Sequence, residues 1–296
     1  MTLAPRIVTV HRRTELDELL ARHGTRGQAE FFLASRGRSI DVVDERHAAL
    51  HEALATVAHA TPLEWRRADV ERGDLDRFLF VPDDVVVVVG QDGLVANVAK
   101  YLDEQPVIGI DPEPGRNPGV LVPHPASSAD TLLAAVEAGS ARFELRTMVE
   151  ASLDDGQRLV ALNEIFVGHP SHQSARYRIH AGRADERQSS SGLIASTGTG
   201  ATGWCRSIWE QSHSQIDLPR PEENRVVWFV REAWPSPATG TELVEGELGR
   251  DDELRIVAET DGLVAFGDGI ESDRLTLTWG QEARLRVASE RLRLVV

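Results

Sequence analysis

The chain has 296 residues, with 32 Lys+Arg against 47 Asp+Glu and a net charge of −15 at pH 7. At roughly 150 residues per domain this length predicts two domains, and 41% apolar with 27% charged residues is the make-up of a globular chain rather than a disordered one. The single cysteine, Cys205, excludes an intrachain disulfide and a Cys-based zinc site, and the acidic balance argues against nucleic acid or a membrane as partner.

Other classes fall on the order of the residues. No apolar run approaches the roughly 20 residues of a membrane span. The start, MTLAPRIVTVHRR, lacks the apolar stretch of a signal peptide, so the expected location is the cytoplasm. Lys100 is the only lysine, which excludes a Walker Gly-Lys-Ser/Thr loop.

In chain order, residues 7–10 form a β-branched run that predicts a strand. Helical stretches follow near 14–22 and 28–35. Asp44 is the expected N-cap of a helix over 45–59, whose Ala48, Ala49, Ala53, Leu54 and Val57 keep largely to one face. Five consecutive valines, 85–89, do not alternate, so this strand is expected to be buried on both faces, as in a parallel sheet. A helix over 95–102 and a strand over 107–110 complete a βαβ unit. The Pro-rich stretch 111–125 reads as a loop and domain boundary, with a helix near 129–138 after it.

From there the period changes to two. Strands are predicted over 142–153, 158–168, 175–181, 192–197, 225–232, 252–259, 262–266, 274–279, 283–288 and 291–296, with a helix from Trp204. Strands following βα units imply an α/β domain over 1–125 and a β-rich, sandwich-like domain over 126–296, the extreme C-terminus packing back on the first.

Four stretches carry candidate chemistry. Gly90-Gln91-Asp92-Gly93 ends the valine strand, where glycines and a helix N-terminus suit phosphate, although Asp-Gly is also a common turn. Gly198-Thr199-Gly200-Ala201-Thr202-Gly203 satisfies G-x-G-x-x-G. Its neighbours alternate like antiparallel strands and no acid follows about 20 residues on, which favours a Gly/Thr ligand loop over a Rossmann turn. Asn163-Glu164 interrupts an apolar run and must be satisfied by a ligand or by backbone. His169-Pro170-Ser171-His172 has two imidazoles and no evident third ligand, so no metal site is assigned.

These pieces occur in one order in a known family. Gly90-Gln91-Asp92-Gly93-Leu94, VIGIDPEPGRNPGVLVP over 107–123, LNEIFVG over 162–168, SSGLIASTGTGATGW over 190–204, and the weaker Val230-Arg231-Glu232 and Asp268-Gly269 together resemble the NAD kinases, most closely their mitochondrial-type branch. The resemblance runs from about Pro5 to the end, least securely over the N-terminal helices.

It implies a Rossmann-like α/β domain, a β-rich domain and an active site between them. It also implies transfer of the ATP γ-phosphoryl group to the 2′-hydroxyl of the adenosine ribose of NAD, giving NADP. By the same resemblance, Asp92 takes the hydroxyl proton and Gly90, Gln91, Gly93 and Leu94 meet ATP phosphates. Asn163, Glu164, Ser191, Thr199, Thr202, Gly203 and Trp204 hold NAD. Mg²⁺ bridges phosphates without a protein cage, and the chain forms a homodimer or higher homo-oligomer. Gln91 stands where the family pattern has Gly, Leu94 where it has Thr, Trp204 where Tyr is usual and Ser191 where most members have Asp. The first two motivate an alternative, a dinucleotide-binding relative impaired in phosphoryl transfer.

Overall fold

The computed structural model describes residues 4–116 and 119–296. Asn117 and Pro118, within the Pro-rich loop, lie outside the described residues. The chain divides into two compact units, Met1–Glu144 with Arg293–Val296, and Leu145–Leu292.

The first unit contains β1 (Arg6–His11), α1 (Glu15–His23), α2 (Arg26–Ala34), α3 (Asp41–Ala60), β2 (Arg66–Glu71), β3 (Asp84–Val89), α4 (Asp92–Ala99), β4 (Pro106–Asp111), β5 (His124–Pro125) and α5 (Ala129–Glu137). Its strands run β2-β1-β3-β4, all parallel, with β5 and Arg293–Leu294 pairing along the other side of β4. All five valines of β3 are buried, as their lack of alternation requires. Val85, Val87 and Val89 pack with Ile108 and Ile110 against Leu50, Ala53 and Val57 of α3 and Leu133 of α5.

Several boundaries move for identifiable reasons. The helix expected from residue 45 begins at Asp41 with Ile40 as N-cap, so Asp44 lies in its first turn and is not the cap. The Ser39 hydroxyl accepts the Asp41 N–H at 3.1 Å and ends the preceding loop earlier. The helix expected over 95–102 begins at Asp92, so the second half of the Gly turn is already its first turn. The stretch 111–125 stays inside the first unit: β5 pairs with β4, and the Leu121 backbone crosses β4 at Gly109, where a Cβ would meet its carbonyl oxygen.

The second unit holds two antiparallel layers. Its strands are β6 (Phe143–Leu153, entering from residue 143), β7 (Arg158–Ala161), β8 (Glu164–Gly168), β9 (Ala175–Ala181), β10 (Ala184–Ser190), β11 (Leu193–Ser196), β12 (Val226–Val230), β13 (Glu245–Leu248), β14 (Leu254–Ala258), β15 (Leu263–Gly267), β16 (Arg274–Leu277) and β17 (Glu282–Val295), with α6 (Trp204–Ser212) after β11. One layer is β10-β9-β14-β17 with β6 and β7; the other is β13-β12-β11-β8-β15-β16. Alternate residues of both, among them Tyr177, Ile179, Leu193, Trp228, Leu254, Ile256 and Leu285, share one buried core, the expected sandwich arrangement.

The strand expected over 158–168 breaks at Leu162-Asn163, where Asp268 takes both backbone N–H groups. The two strands expected over 283–296 form a single strand, β17.

Candidate functional site

The first unit presents the Gly turn at the carboxyl end of β3. Gln91 is the N-cap of α4 and extended, and its exposed side chain makes no capping hydrogen bond. Helix geometry leaves the first-turn N–H groups without intrahelical partners, so they suit an anion. Gly93 is exposed, with no atom within 4 Å of where a Cβ would stand. Leu94 behaves differently. Its N–H donates to the Gln91 carbonyl at 2.9 Å, and its buried side chain covers Gly90, where a Cβ would lie 3.0 Å from it. Leu94 therefore closes the turn and has no donor left for phosphate.

Asp92 is tied into the fold. Its Oδ2 accepts the Val120 N–H at 2.9 Å, and its Oδ1 accepts the N–H groups of Leu121 and Val122 at 2.8 and 3.2 Å. A carboxylate offers about four acceptor positions. Three are occupied by the loop that crosses β4, which fixes the carboxylate and leaves one lone pair.

In the second unit, the residues expected to hold NAD form a connected network. The Asp268 carboxylate accepts the N–H groups of Leu162 and Asn163 at 2.9 and 2.7 Å, and the Asp268 N–H returns to the Glu164 carbonyl at 3.1 Å. Asp268 holds a left-handed φ of 52° to do this. The Asn163 carbonyl accepts from the Ser196 hydroxyl at 3.1 Å and the Thr197 N–H at 2.9 Å. Its side-chain amide, half-buried, has no hydrogen-bond partner among the described residues. Glu164 stands opposite Ser196 in the β8–β11 ladder. Burial, and after it the Asp268 charge, push the Glu164 carboxyl up to about 7.

The Gly/Thr loop is organised by Thr197. Its buried hydroxyl donates to the Leu162 carbonyl at 2.5 Å and accepts the Thr199 N–H at 3.1 Å. Gly200 lies against Asn163, whose carbonyl oxygen would be 2.3 Å from a Cβ there, so no side chain fits. The Thr202 hydroxyl donates to the Thr199 carbonyl at 2.9 Å, and the buried Thr199 hydroxyl accepts from Arg146 at 3.5 Å. Gly203 then caps α6, whose first residue is Trp204. That ring is 38% exposed, stacks on Phe166 at 6.0 Å and carries the Arg231 guanidinium at 5.2 Å. The guanidinium over the ring is a cation–π pair at the edge of the loop, and its charge suits an anionic group. Exposed Ser191 donates its N–H to the Arg231 carbonyl at 2.9 Å, which links it to the same group. The Cys205 thiol is buried and pushed up to about 11 by that burial, so it is a packing residue and not a nucleophile.

Sequence reasoning missed Thr197, Arg146 and Phe166. The signal for Thr197 was a hydroxyl at the end of an apolar strand, immediately before the glycines. Nothing in the local sequence marks Arg146 or Phe166.

By sequence, the chain matches no protein-family model and no curated protein. By structure, it is similar to an NAD kinase from Archaeoglobus fulgidus solved in complex with ATP, with a TM-score of 0.59 and 16% identity over 98% of this chain and 93% of that one. It is also similar to a yeast NADH kinase complexed with NADH, with a TM-score of 0.61 and 14% identity over 99% of this chain and 84% of that one. At these identities the likeness shows the fold: this chain has the α/β-plus-β-sandwich fold of those two kinases.

Proposed function

We propose that the chain is an NAD kinase of the mitochondrial-type branch, transferring the γ-phosphoryl group of MgATP to the adenosine-ribose 2′-hydroxyl of NAD to give NADP. The observation that carries this is the Asn163–Glu164 pair. Hydrogen bonds with Asp268, Ser196 and Thr197 immobilise its backbone, while its side chains have no hydrogen-bond partner among the described residues. Half-buried polar groups held in this way suit a polar ligand. A ribose, with two adjacent hydroxyls, satisfies an amide and a carboxyl together. Arg231, its guanidinium over the Trp204 ring, supplies a cation near the pair's Phe166 neighbour.

In the proposed reaction the 2′-oxygen attacks the γ-phosphorus, the bond to the β-bridging oxygen breaks, ADP leaves, and the hydroxyl proton passes to Asp92. Gln91 and Gly93 receive phosphate through backbone N–H groups; the Gly90 N–H is held by the Ile110 carbonyl at 3.0 Å, so Gly90 contributes by close backbone approach, and Leu94 by holding the turn closed. Mg²⁺ enters with ATP as part of the substrate, since phosphate oxygens and water are its preferred ligands. The proposal includes a cytoplasmic protein assembled as a homodimer or higher homo-oligomer.

One observation favours a second reading, NAD binding without transfer: three of the four acceptor positions of Asp92 are already filled. Two measurements separate the readings, calorimetry with NAD and an NADP assay with MgATP. The kinase reading expects Asn163→Ala to weaken NAD binding at least tenfold. It expects Asp92→Asn to keep NAD affinity within about threefold while turnover falls by about 10² or more. Tight NAD binding by the parent chain with no NADP formed would establish the second reading.

A further inference from the structure

The N-terminal helices bring together a group that phosphoryl transfer does not use. His47 and His51 lie one turn apart on α3, and Asp17 lies in the first turn of α1. One ring nitrogen from each imidazole and one carboxylate oxygen all fall within 4.8 Å of one another. The two rings stand 4.3 Å apart at their centroids.

Thr14 links two members of the group. The Asp17 carboxylate is divided in its duties. Oδ2 accepts the N–H and the hydroxyl of Thr14, both at 2.8 Å, while Oδ1 faces His47 Nδ1 at 3.7 Å. The Thr14 hydroxyl also lies 2.8 Å from His47 Nδ1. The same threonine thus touches two of the three candidate ligands and holds them side by side.

We infer that Asp17, His47 and His51 bind one divalent cation of the zinc class. Two imidazoles and one carboxylate select Zn²⁺ and its neighbours over the oxygen-seeking Mg²⁺ and Ca²⁺. Ligand atoms around tetrahedral zinc stand about 3.4 Å apart. The Asp17 Oδ1–His47 Nδ1 pair is already close to that once the ion replaces the Thr14 hydroxyl at Nδ1, and His51, exposed and one turn along, closes the remainder by rotating. A water completes the shell. The bound ion ties α1 to α3. The same helices already share a small apolar cluster, Leu16, Leu19, Ala29, Leu33, Ile40 and Val43.

The test uses the full chain, stripped with a chelator and titrated calorimetrically with ZnCl₂ and separately with MgCl₂. One equivalent of Zn²⁺ and no Mg²⁺ heat are expected. His51→Ala, an exposed change that leaves packing intact, should lower the affinity at least tenfold and abolish the Zn²⁺-induced rise in Tm. His169→Ala, at the other His pair, should change neither. Absence of saturable Zn²⁺ binding, or a loss of less than tenfold in His51→Ala, overturns the site.

Discussion

Glu164 is the residue whose environment says most. Its carboxyl titrates at about 7 in the fold against 4.5 ordinarily, chiefly through burial. A raised acid contributes its full share of stability below 4.5 and loses it as pH rises through about 7. Stability should therefore fall across that window, by on the order of 1–2 kcal/mol for a carboxyl that keeps some contact with solvent. Glu164→Gln should flatten this slope in urea midpoints between pH 5 and pH 8; an unchanged slope would assign the effect elsewhere. Gly192 offers a second residue-scale prediction. Its φ is +95°, and a Cβ there would sit 2.7 Å from the Phe166 ring and the Val167 carbonyl oxygen. Gly192→Ala should cost about 2 kcal/mol or more in urea unfolding and disturb the Phe166–Trp204 stack.

At the scale of elements, Thr197 joins β11, the break between β7 and β8, and the Gly/Thr loop. Thr197→Val keeps the shape and removes the hydroxyl, leaving the Leu162 carbonyl and the Thr199 N–H short of a partner. A loss of about 1–3 kcal/mol is expected, with faster hydrogen exchange over residues 198–203; exchange that stays slow there would contradict the role given to this hydroxyl. The same scale shows what was legible in sequence. The valine run declared β3 because a strand buried on both faces must be apolar throughout. The alternation of Leu275 and Leu277 declared β16. Besides the two-residue β5, three strands escaped notice: β2 (RRADVE), β10 (ADERQSS) and β13 (EGEL). All three stand at sheet edges, where one neighbour's hydrogen bonds define the strand and few apolar side chains are needed. The break at Leu162-Asn163 was hidden because its cause, Asp268, is more than a hundred residues away. The polar pair and the Gly/Thr loop were visible as candidates, since polar residues inside an apolar run require an explanation. Their connection through Thr197 and Asp268 is a product of tertiary structure.

For the whole molecule, the charge of −15 opposes the approach of both proposed substrates, which are anions. Cations such as Arg231 and backbone N–H groups must act locally against that field. Raising ionic strength from about 10 to 150 mM shortens the screening length from about 30 to 8 Å, so NAD association should become faster, by about twofold or more. A rate that falls with salt would mean that a basic surface steers the ligand instead. Among the described residues no helix is long and apolar enough to cross a membrane.

The central claim is that a phosphoryl group moves from ATP to NAD on this chain. ATP labelled at the γ-phosphate, incubated with Mg²⁺, NAD and the purified protein, tests it most directly. Label is expected in the 2′-phosphate of newly formed NADP, and is lost in Asp92→Asn. Label that stays in ATP, or appears only as inorganic phosphate while NAD is recovered unchanged, would contradict it.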